Sequence, residues 1–221
     1  MPVRVCNREG LLLKPARNRV STLLLLLVLY VSLGVPAEAG NRVLVCRCND
    51  GYRFVVSVES GKAWLFLPQQ TVALKEDSHQ RGLFSGEGVR FSFNGTHCLL
   101  ERGERTLECR NRPEEAVWER AKLEGVDFRA VGNEPGWVLE IRIGDEVSLL
   151  TDYGTKRLRF DYASPLVEGN RTIYRLSNER DRLTVVLEGR PCKDPRGERY
   201  ETTVELLLDG ERLKGCGMAL H

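Results

Sequence analysis

Residues 89–109, VRFSFNGTHCLLERGERTLEC, contain three short alternating runs that are separated by two turn signals. Asn94-Gly95 favours the tight turn of a β-hairpin, because both residue types tolerate positive φ angles. A second turn around Gly103 separates the middle run from the last one. Each run has the length and the alternation of a half-buried strand. The segment therefore predicts three antiparallel strands that are connected by hairpins.

The alternation continues towards the N terminus from this segment. Further runs with the spacing of half-buried strands occupy residues 43–48, 52–58, 63–67 and 71–74. Ser60-Gly61 separates two of these runs and is another hairpin signal. About eight short strands at close spacing are typical of a small antiparallel barrel or sandwich. We therefore expect a β domain over residues 41–110.

Residues 111–126 interrupt the strand pattern. Pro113 suits the first position of a helix, and the acidic pair Glu114-Glu115 complements the positive end of the helix dipole. Gly125 is a natural point for the helix to stop. We therefore expect a short helix that links two domains.

Strand-like alternation returns in residues 127–221. The clearest runs are 137–143, 147–150, 172–176, 183–187, 202–208 and 212–214. Asp209-Gly210 separates the last two runs and predicts a hairpin. The fold class that we expect for the chain is therefore all-β, with two small antiparallel β domains joined by a short helix.

Residues 1–39 have the composition of an export signal. Five Lys/Arg precede an apolar block at 20–35, and Ala37-Glu38-Ala39 follows as a small-x-small cleavage site. A retained anchor helix is the alternative, but it needs about 20 apolar residues to span a bilayer, and this block is shorter. We therefore expect cleavage after Ala39 and a soluble exported protein.

Cleavage would change the charge balance. The whole chain has a net charge of +2, and residues 1–39 carry five basic and two acidic side chains, so about −1 remains. Proteins bind nucleic acid and anionic lipid through a surplus of Lys and Arg. We therefore expect no nucleic-acid partner and no membrane partner after cleavage.

Cleavage would also make the number of cysteines even, because Cys6 lies in the leader. The other cysteines are Cys46, Cys48, Cys98, Cys109, Cys192 and Cys216. In an exported protein they predict three disulfides, for which 15 pairings exist. Cys46 and Cys48 with His97 and Cys98 are an alternative set of soft metal ligands. An oxidising compartment favours disulfides, so we expect no metal and no cofactor.

No catalytic motif is visible among the three histidines, which are His79, His97 and His221. The most unusual hexapeptide is GNEPGW at residues 132–137. Its glycines and proline predict a turn that delivers Trp137 into the core of the next strand. The alternative is an enzyme in which Glu134, held beside an indole, acts as an acid. One carboxylate without a partner is a weak signal, so we expect no enzyme.

Several segments of the first domain resemble, in order, the segments of a known protein family. They are CNDG at 48–51, FVVSV at 54–58, AWLFL at 63–67, and the stretches 70–74 and 91–101, closed by Cys109. These segments resemble the MliC family of inhibitors of c-type lysozyme. The resemblance implies an eight-stranded antiparallel barrel and a Cys48–Cys109 disulfide, which leaves Cys46 and Cys98 to pair. Cys46 and Cys48 point to the same face of their strand, so the swapped pairing stays open.

The resemblance also implies how a partner would be bound. The family inserts a loop serine from an SGxxY motif and a lysine from a KG turn into the lysozyme cleft. This sequence has Gln80 and Phe84 in place of the serine and tyrosine, and Asn94 in place of the lysine. We therefore expect Gln80, Phe84 and Asn94 to be binding residues and c-type lysozyme to be the partner, with Arg81 or Arg90 as a substitute cation. The alternative is a non-inhibitory envelope module that binds another ligand or protein.

The second domain carries motifs of its own. They are GNEPGW at 132–137, Cys192-x-Asp194 and the closing GCG at 215–217. Residues 127–221 look like an uncharacterised domain of bacterial envelope proteins. That resemblance implies the periplasm of a Gram-negative bacterium and no particular activity.

Overall fold

The computed structural model describes residues 41–221. The predicted leader, its cleavage site and Cys6 lie outside the described residues. Residues from Gly40 to His221 form one compact unit that contains two sheets, one helix and a small hairpin. Across residues 41–221, no helix combines the length and the apolar character that a bilayer crossing needs.

Residues 42–111 form a closed antiparallel barrel. Its strands are β1 (Arg42–Cys48), β2 (Arg53–Glu59), β3 (Lys62–Leu67), β4 (Gln70–Glu76), β5 (Leu83–Gly86), β6 (Val89–Phe93), β7 (His97–Arg102) and β8 (Arg105–Asn111). Each strand pairs with its neighbour in sequence, and β1 pairs with β8 to close the circle. The structure therefore confirms the barrel and its eight strands. The sequence pattern did not predict β5. This strand has only four residues, and the last of them is a glycine.

The predicted hairpin at Ser60-Gly61 connects β2 and β3. Both residues have positive φ angles, 47° and 76°, as a tight turn of this kind requires. Alternate strand residues then fill the barrel, where the rings of Phe54 and Phe91 meet edge to face at 6.2 Å between centroids. Each such buried side chain stabilises the fold by about 1.5–3 kcal/mol.

One helix, α1 (Pro113–Leu123), follows the barrel as predicted, with Glu114 and Glu115 in its first turn. Its Ala116 packs against Val43, Val45 and Val55 on the outside of the barrel. On its other side, Trp118 contacts Tyr200 with 5.3 Å between ring centroids. The helix therefore lies between the barrel and the second part of the chain.

The second part is a curled sheet of nine antiparallel strands. They are β9 (Phe128–Asn133), β10 (Gly136–Ile141), β11 (Glu146–Thr151), β12 (Lys156–Asp161), β13 (Leu166–Glu168), β14 (Arg171–Ser177), β15 (Arg182–Glu188), β18 (Thr202–Leu208) and β19 (Glu211–Ala219). Their order is β12-β11-β10-β9-β19-β18-β15-β14-β13, so β12 and β13 are the edges. The remaining pair, β16 (Cys192–Lys193) and β17 (Arg199–Tyr200), forms a separate small hairpin.

The six cysteines form three disulfides: Cys46–Cys98, Cys48–Cys109 and Cys192–Cys216. In the barrel, this is the pairing that the resemblance implied, and the swapped pairing does not occur. Cys48–Cys109 joins β1 to β8, where the two cysteines are direct partners in the ladder, and Cys46–Cys98 joins β1 to β7. Cys192–Cys216 ties the small hairpin to β19. Since Cys46, Cys48 and Cys98 are all in disulfides, they are not available as thiolate ligands.

Candidate functional site

A groove runs over the outside of the barrel, between the loop of residues 77–82 and the outer face of β6–β8. It has a volume of about 430 Å³. We call it the barrel groove, and its polar lining consists of Gln80, Arg81, Asn94, His97 and Glu108. Two of the three binding residues expected from the sequence, Gln80 and Asn94, therefore lie in one groove although they belong to different connections.

The loop that carries Gln80 and Arg81 is held by two carboxylates. Asp77 accepts hydrogen bonds from the backbone N–H groups of His79 (2.8 Å) and Gln80 (3.0 Å). Glu76 accepts one from the N–H of Gly82 (2.9 Å). Side-chain-to-backbone bonds of this kind fix a loop without a strand ladder. The loop therefore presents Gln80 and Arg81 in a defined place.

Gly82 joins this loop to β6. Its carbonyl accepts a hydrogen bond from the N–H of Phe93 (3.2 Å), and its φ angle is +80°. A Cβ at this position would lie 3.1 Å from the carbonyl oxygen of Phe93. Only glycine combines this φ angle with so close an approach to a neighbouring backbone.

Asn94 shapes the turn at the other side of the groove. Its side-chain oxygen accepts a hydrogen bond from the N–H of His97 (3.0 Å), and its own N–H donates to the carbonyl of His97 (3.2 Å). An asparagine side chain has one carbonyl and one NH₂ group. The turn uses one of the two lone pairs of this carbonyl and leaves the NH₂ group of Asn94 for a partner.

Phe84 does not lie at the surface. It is 4% exposed, and its ring is 6.3 Å from that of Phe91 inside the barrel. Its neighbours on β5, Leu83 and Ser85, point outward instead, because side chains alternate along a strand. The expectation that Phe84 touches a partner is therefore corrected: it supports the loop from the core.

The floor of the groove consists of residues that the sequence did not single out. Leu83, Ser92, Leu99 and Glu108 are successive partners across β5, β6, β7 and β8, so they form one row on the outer face. Leu83 and Leu99 are half-buried there. Together with Phe93, which also lines the groove, these two leucines provide apolar contact area for a partner. The alternation of β7 could have indicated Leu99, since Leu100 is the core residue.

The two candidate substitute cations differ in their surroundings. Arg90 contacts Glu101 (3.7 Å) in a shallow extension of the groove of about 180 Å³. Arg81 is exposed and makes no ion pair with any side chain of residues 41–221. A partner's carboxylate can therefore reach Arg81 without displacing a carboxylate of this protein, whereas at Arg90 it would have to displace Glu101.

The GNEPGW segment has a structural role in the curled sheet. Trp137 is 2% exposed and lies against the backbones of Gly132 and Gly215, its row neighbours on β9 and β19. A Cβ on Gly132 would overlap the indole nitrogen, and one on Gly215 would lie 2.5 Å from Cζ2 of Trp137. The two glycine motifs, GNEPGW and GCG, thus leave room for a single buried indole.

Glu134 and Asp194 have different surroundings, although both line one groove of the curled sheet. Glu134 is exposed in the β9–β10 turn and lines a separate groove of about 540 Å³ with Lys193 and Lys214. Asp194 is buried, and its carboxylate accepts the N–H groups of Arg196 (3.0 Å) and Glu198 (2.9 Å). Since these bonds close the turn of the small hairpin, Asp194 has a structural use.

Comparisons of the chain with protein-family models, with curated proteins and with solved structures gave no match.

Proposed function

We propose that residues 40–221 are an exported binding protein that inhibits a c-type lysozyme by placing the barrel groove over its active cleft. The observation that carries the proposal is the convergence of Gln80, Arg81 and Asn94 on one groove of an eight-stranded barrel. The resemblance to lysozyme inhibitors concerns the same two connections. The predicted leader supports a periplasmic location, where such an inhibitor would protect peptidoglycan.

In this proposal Arg81 takes the place of the lysine that the sequence lacks. A glycosidase cleft contains two carboxylates, and a planar guanidinium binds a carboxylate through two parallel hydrogen bonds. Arg81 is exposed, and the bonds of Asp77 and Glu76 hold its loop. Gln80 adds an amide that both donates and accepts, so it can bond a carboxylate or a backbone group.

The test is inhibition of c-type lysozyme by purified residues 40–221. We expect inhibition at micromolar protein, and we expect Arg81→Ala to weaken it about thirty-fold or more, because a desolvated charge pair loses one partner. The matched control is Arg105→Ala. Arg105 lies on the same barrel but lines none of the grooves described, so its change should alter inhibition by less than about two-fold.

A second function is favoured by one observation: Asn94 uses its carbonyl in its own turn and offers no cation. The chain would then be an envelope module that binds another ligand or protein. The variant Gln80→Ser/Asn94→Lys separates the two functions. If wild type is inactive and this variant inhibits, the groove has the inhibitor geometry and only the contacts differ. If both are inactive at high micromolar concentration, the lysozyme proposal is wrong and the second function remains.

A further inference from the structure

A second charged groove lies between α1 and the outer face of β9–β11, on the side of the molecule that the lysozyme proposal does not use. It has a volume of about 300 Å³. We call it the arginine groove, because four guanidinium groups line it: Arg120, Arg129, Arg142 and Arg157. The carboxylates that line it are those of Glu124 and Glu140. Guanidinium groups therefore outnumber carboxylates by two.

Two of the four arginines have partners within the protein. Arg129 forms an ion pair with Glu140. Arg142 contacts Glu146 just outside the groove (3.2 Å) and lies 3.9 Å from Glu140. The carboxylates that the strands supply here, Glu140 and Glu146, are therefore already paired with arginines. They also fix the positions of Arg129 and Arg142 on the wall of the groove.

The other two arginines make no ion pair with any side chain of residues 41–221. Arg120 comes from the last turn of α1, and Arg157 comes from β12, beside Leu150. The helix and the sheet thus each contribute to the same groove one guanidinium that makes no ion pair within residues 41–221, and Glu124 at the end of the helix also contributes its carboxylate. Arginine does not lose its proton in proteins, so both charges persist at any relevant pH.

Burial and apolar surface around the groove reduce the screening of its charges by water. Arg129 is largely buried, and its Nε atom has no hydrogen-bond partner among the described residues. Burial lowers the pKa of Arg129, and the carboxylate of Glu124 opposes that shift. Val138 and Leu150 line the groove with apolar surface, which reduces screening by water. An anion in the groove would therefore meet a stronger field than it would at an open surface.

We propose that the arginine groove binds a small molecule that carries a carboxylate or a phosphate group, held between Arg120 and Arg157. Both groups accept two parallel hydrogen bonds from a planar guanidinium, which is why arginine is favoured at such sites. The volume suits a small ligand, since ligand pockets begin at about 300 Å³. The apolar part of the ligand would lie against Val138 and Leu150.

Calorimetric titration of residues 40–221 with inorganic phosphate and, separately, with succinate tests this inference. Ionic strength is kept constant with chloride, because a general charge effect would be screened equally in every titration. We expect saturable binding of one anion per chain, weakened about ten-fold or more by Arg120→Ala or by Arg157→Ala. Preference for phosphate over succinate, or the reverse, identifies the group that the site selects.

The control is Arg175→Ala. Arg175 is an exposed arginine on β14 that lines none of the grooves described, so the same charge is removed from the same sheet. Arg157→Lys should bind with intermediate affinity, because it keeps the charge but loses the planar fork. Circular dichroism verifies that each variant is folded. The inference is wrong if neither anion saturates by about 10 mM, or if Arg175→Ala weakens binding as much as Arg157→Ala.

Discussion

The barrel closes on itself through β1 and β8, whereas the curled sheet ends in two edges at β12 and β13. Their cores differ as well. The barrel core contains 15 buried residues, four of which are half-cystines, and the core of the curled sheet contains 18, with no cysteine among them. A small domain buries a smaller share of its surface and often needs covalent support. The barrel therefore depends on disulfides where the curled sheet depends on packing.

Removing the two barrel disulfides together should produce the largest effect. Cys48 and Cys109 are 61 residues apart, and cross-linking a loop of that length stabilises a protein by about 4 kcal/mol in the chain-entropy model. Either barrel disulfide left alone would still constrain most of the loop that the other one closes, so both have to be replaced. Cys192 and Cys216 are 24 apart, which gives about 3.5 kcal/mol. We expect replacement of Cys46, Cys48, Cys98 and Cys109 by Ala to lower the free energy of unfolding by more than Cys192→Ala/Cys216→Ala does, measured in denaturant.

Hydrogen exchange shows which of the two sheets loses stability. If the comparison holds, amides of β1–β8 lose protection in the variant without barrel disulfides, while those of β9–β12 keep theirs. Equal loss in both sheets would show that they unfold as one unit, and the distinction between a disulfide-dependent barrel and a packing-dependent sheet would have to be given up.

The matching change in the curled sheet is Gly132→Ala. The added methyl group would overlap the indole of Trp137 and lie 2.8 Å from the carbonyl oxygen of Lys214. Neither the backbone nor a ring that is 2% exposed can move far, so we expect a loss of about 3 kcal/mol in unfolding free energy. Thermal and denaturant unfolding measure it.

Gly189→Ala is the control for that change. A Cβ at Gly189 would lie 3.6 Å from the carbonyl oxygen of Asn170, which is an ordinary contact, so stability should change by less than about 0.5 kcal/mol. If Gly132→Ala were equally mild, the close approach of Trp137 to the two glycine motifs would not be a source of stability.

Sequence patterns predicted most of the strands, because hairpin dipeptides and alternation act locally, but β5, β9, β12, β13, β16 and β17 lie outside the predicted runs. Ser60-Gly61 and Asp209-Gly210 both form the turns expected of them. The floor of the barrel groove was not predicted, because Leu83, Ser92, Leu99 and Glu108 form one row only through the register of four paired strands. The arginine groove was not predicted either. Arg120 and Arg157 come from a helix and a distant strand, and no local pattern brings them together.

The smallest predicted effect concerns the contact between α1 and the barrel. Glu115 accepts hydrogen bonds from Arg47 (2.7 Å) and Arg53 (3.2 Å). Burial alone would raise the pKa of Glu115, but the bonds and charges of the two arginines outweigh it and lower the pKa below its ordinary value of 4.5. The carboxylate therefore stabilises the fold above that value, and its contribution is lost as the pH falls through the lowered pKa.

Because Arg47 is largely exposed, the contribution is small, and we expect Glu115→Gln to cost about 0.5 kcal/mol at neutral pH. The variant should also lose less stability than wild type when unfolding is measured from pH 5 down to pH 2. Glu104→Gln in the β7–β8 turn is the control, because it removes an exposed charge that makes no ion pair within residues 41–221. If both variants had the same pH profile, the Glu115 carboxylate would not help to hold α1 to the barrel, and the contact would depend on Ala116, its apolar neighbours and the Arg53–Glu119 ion pair.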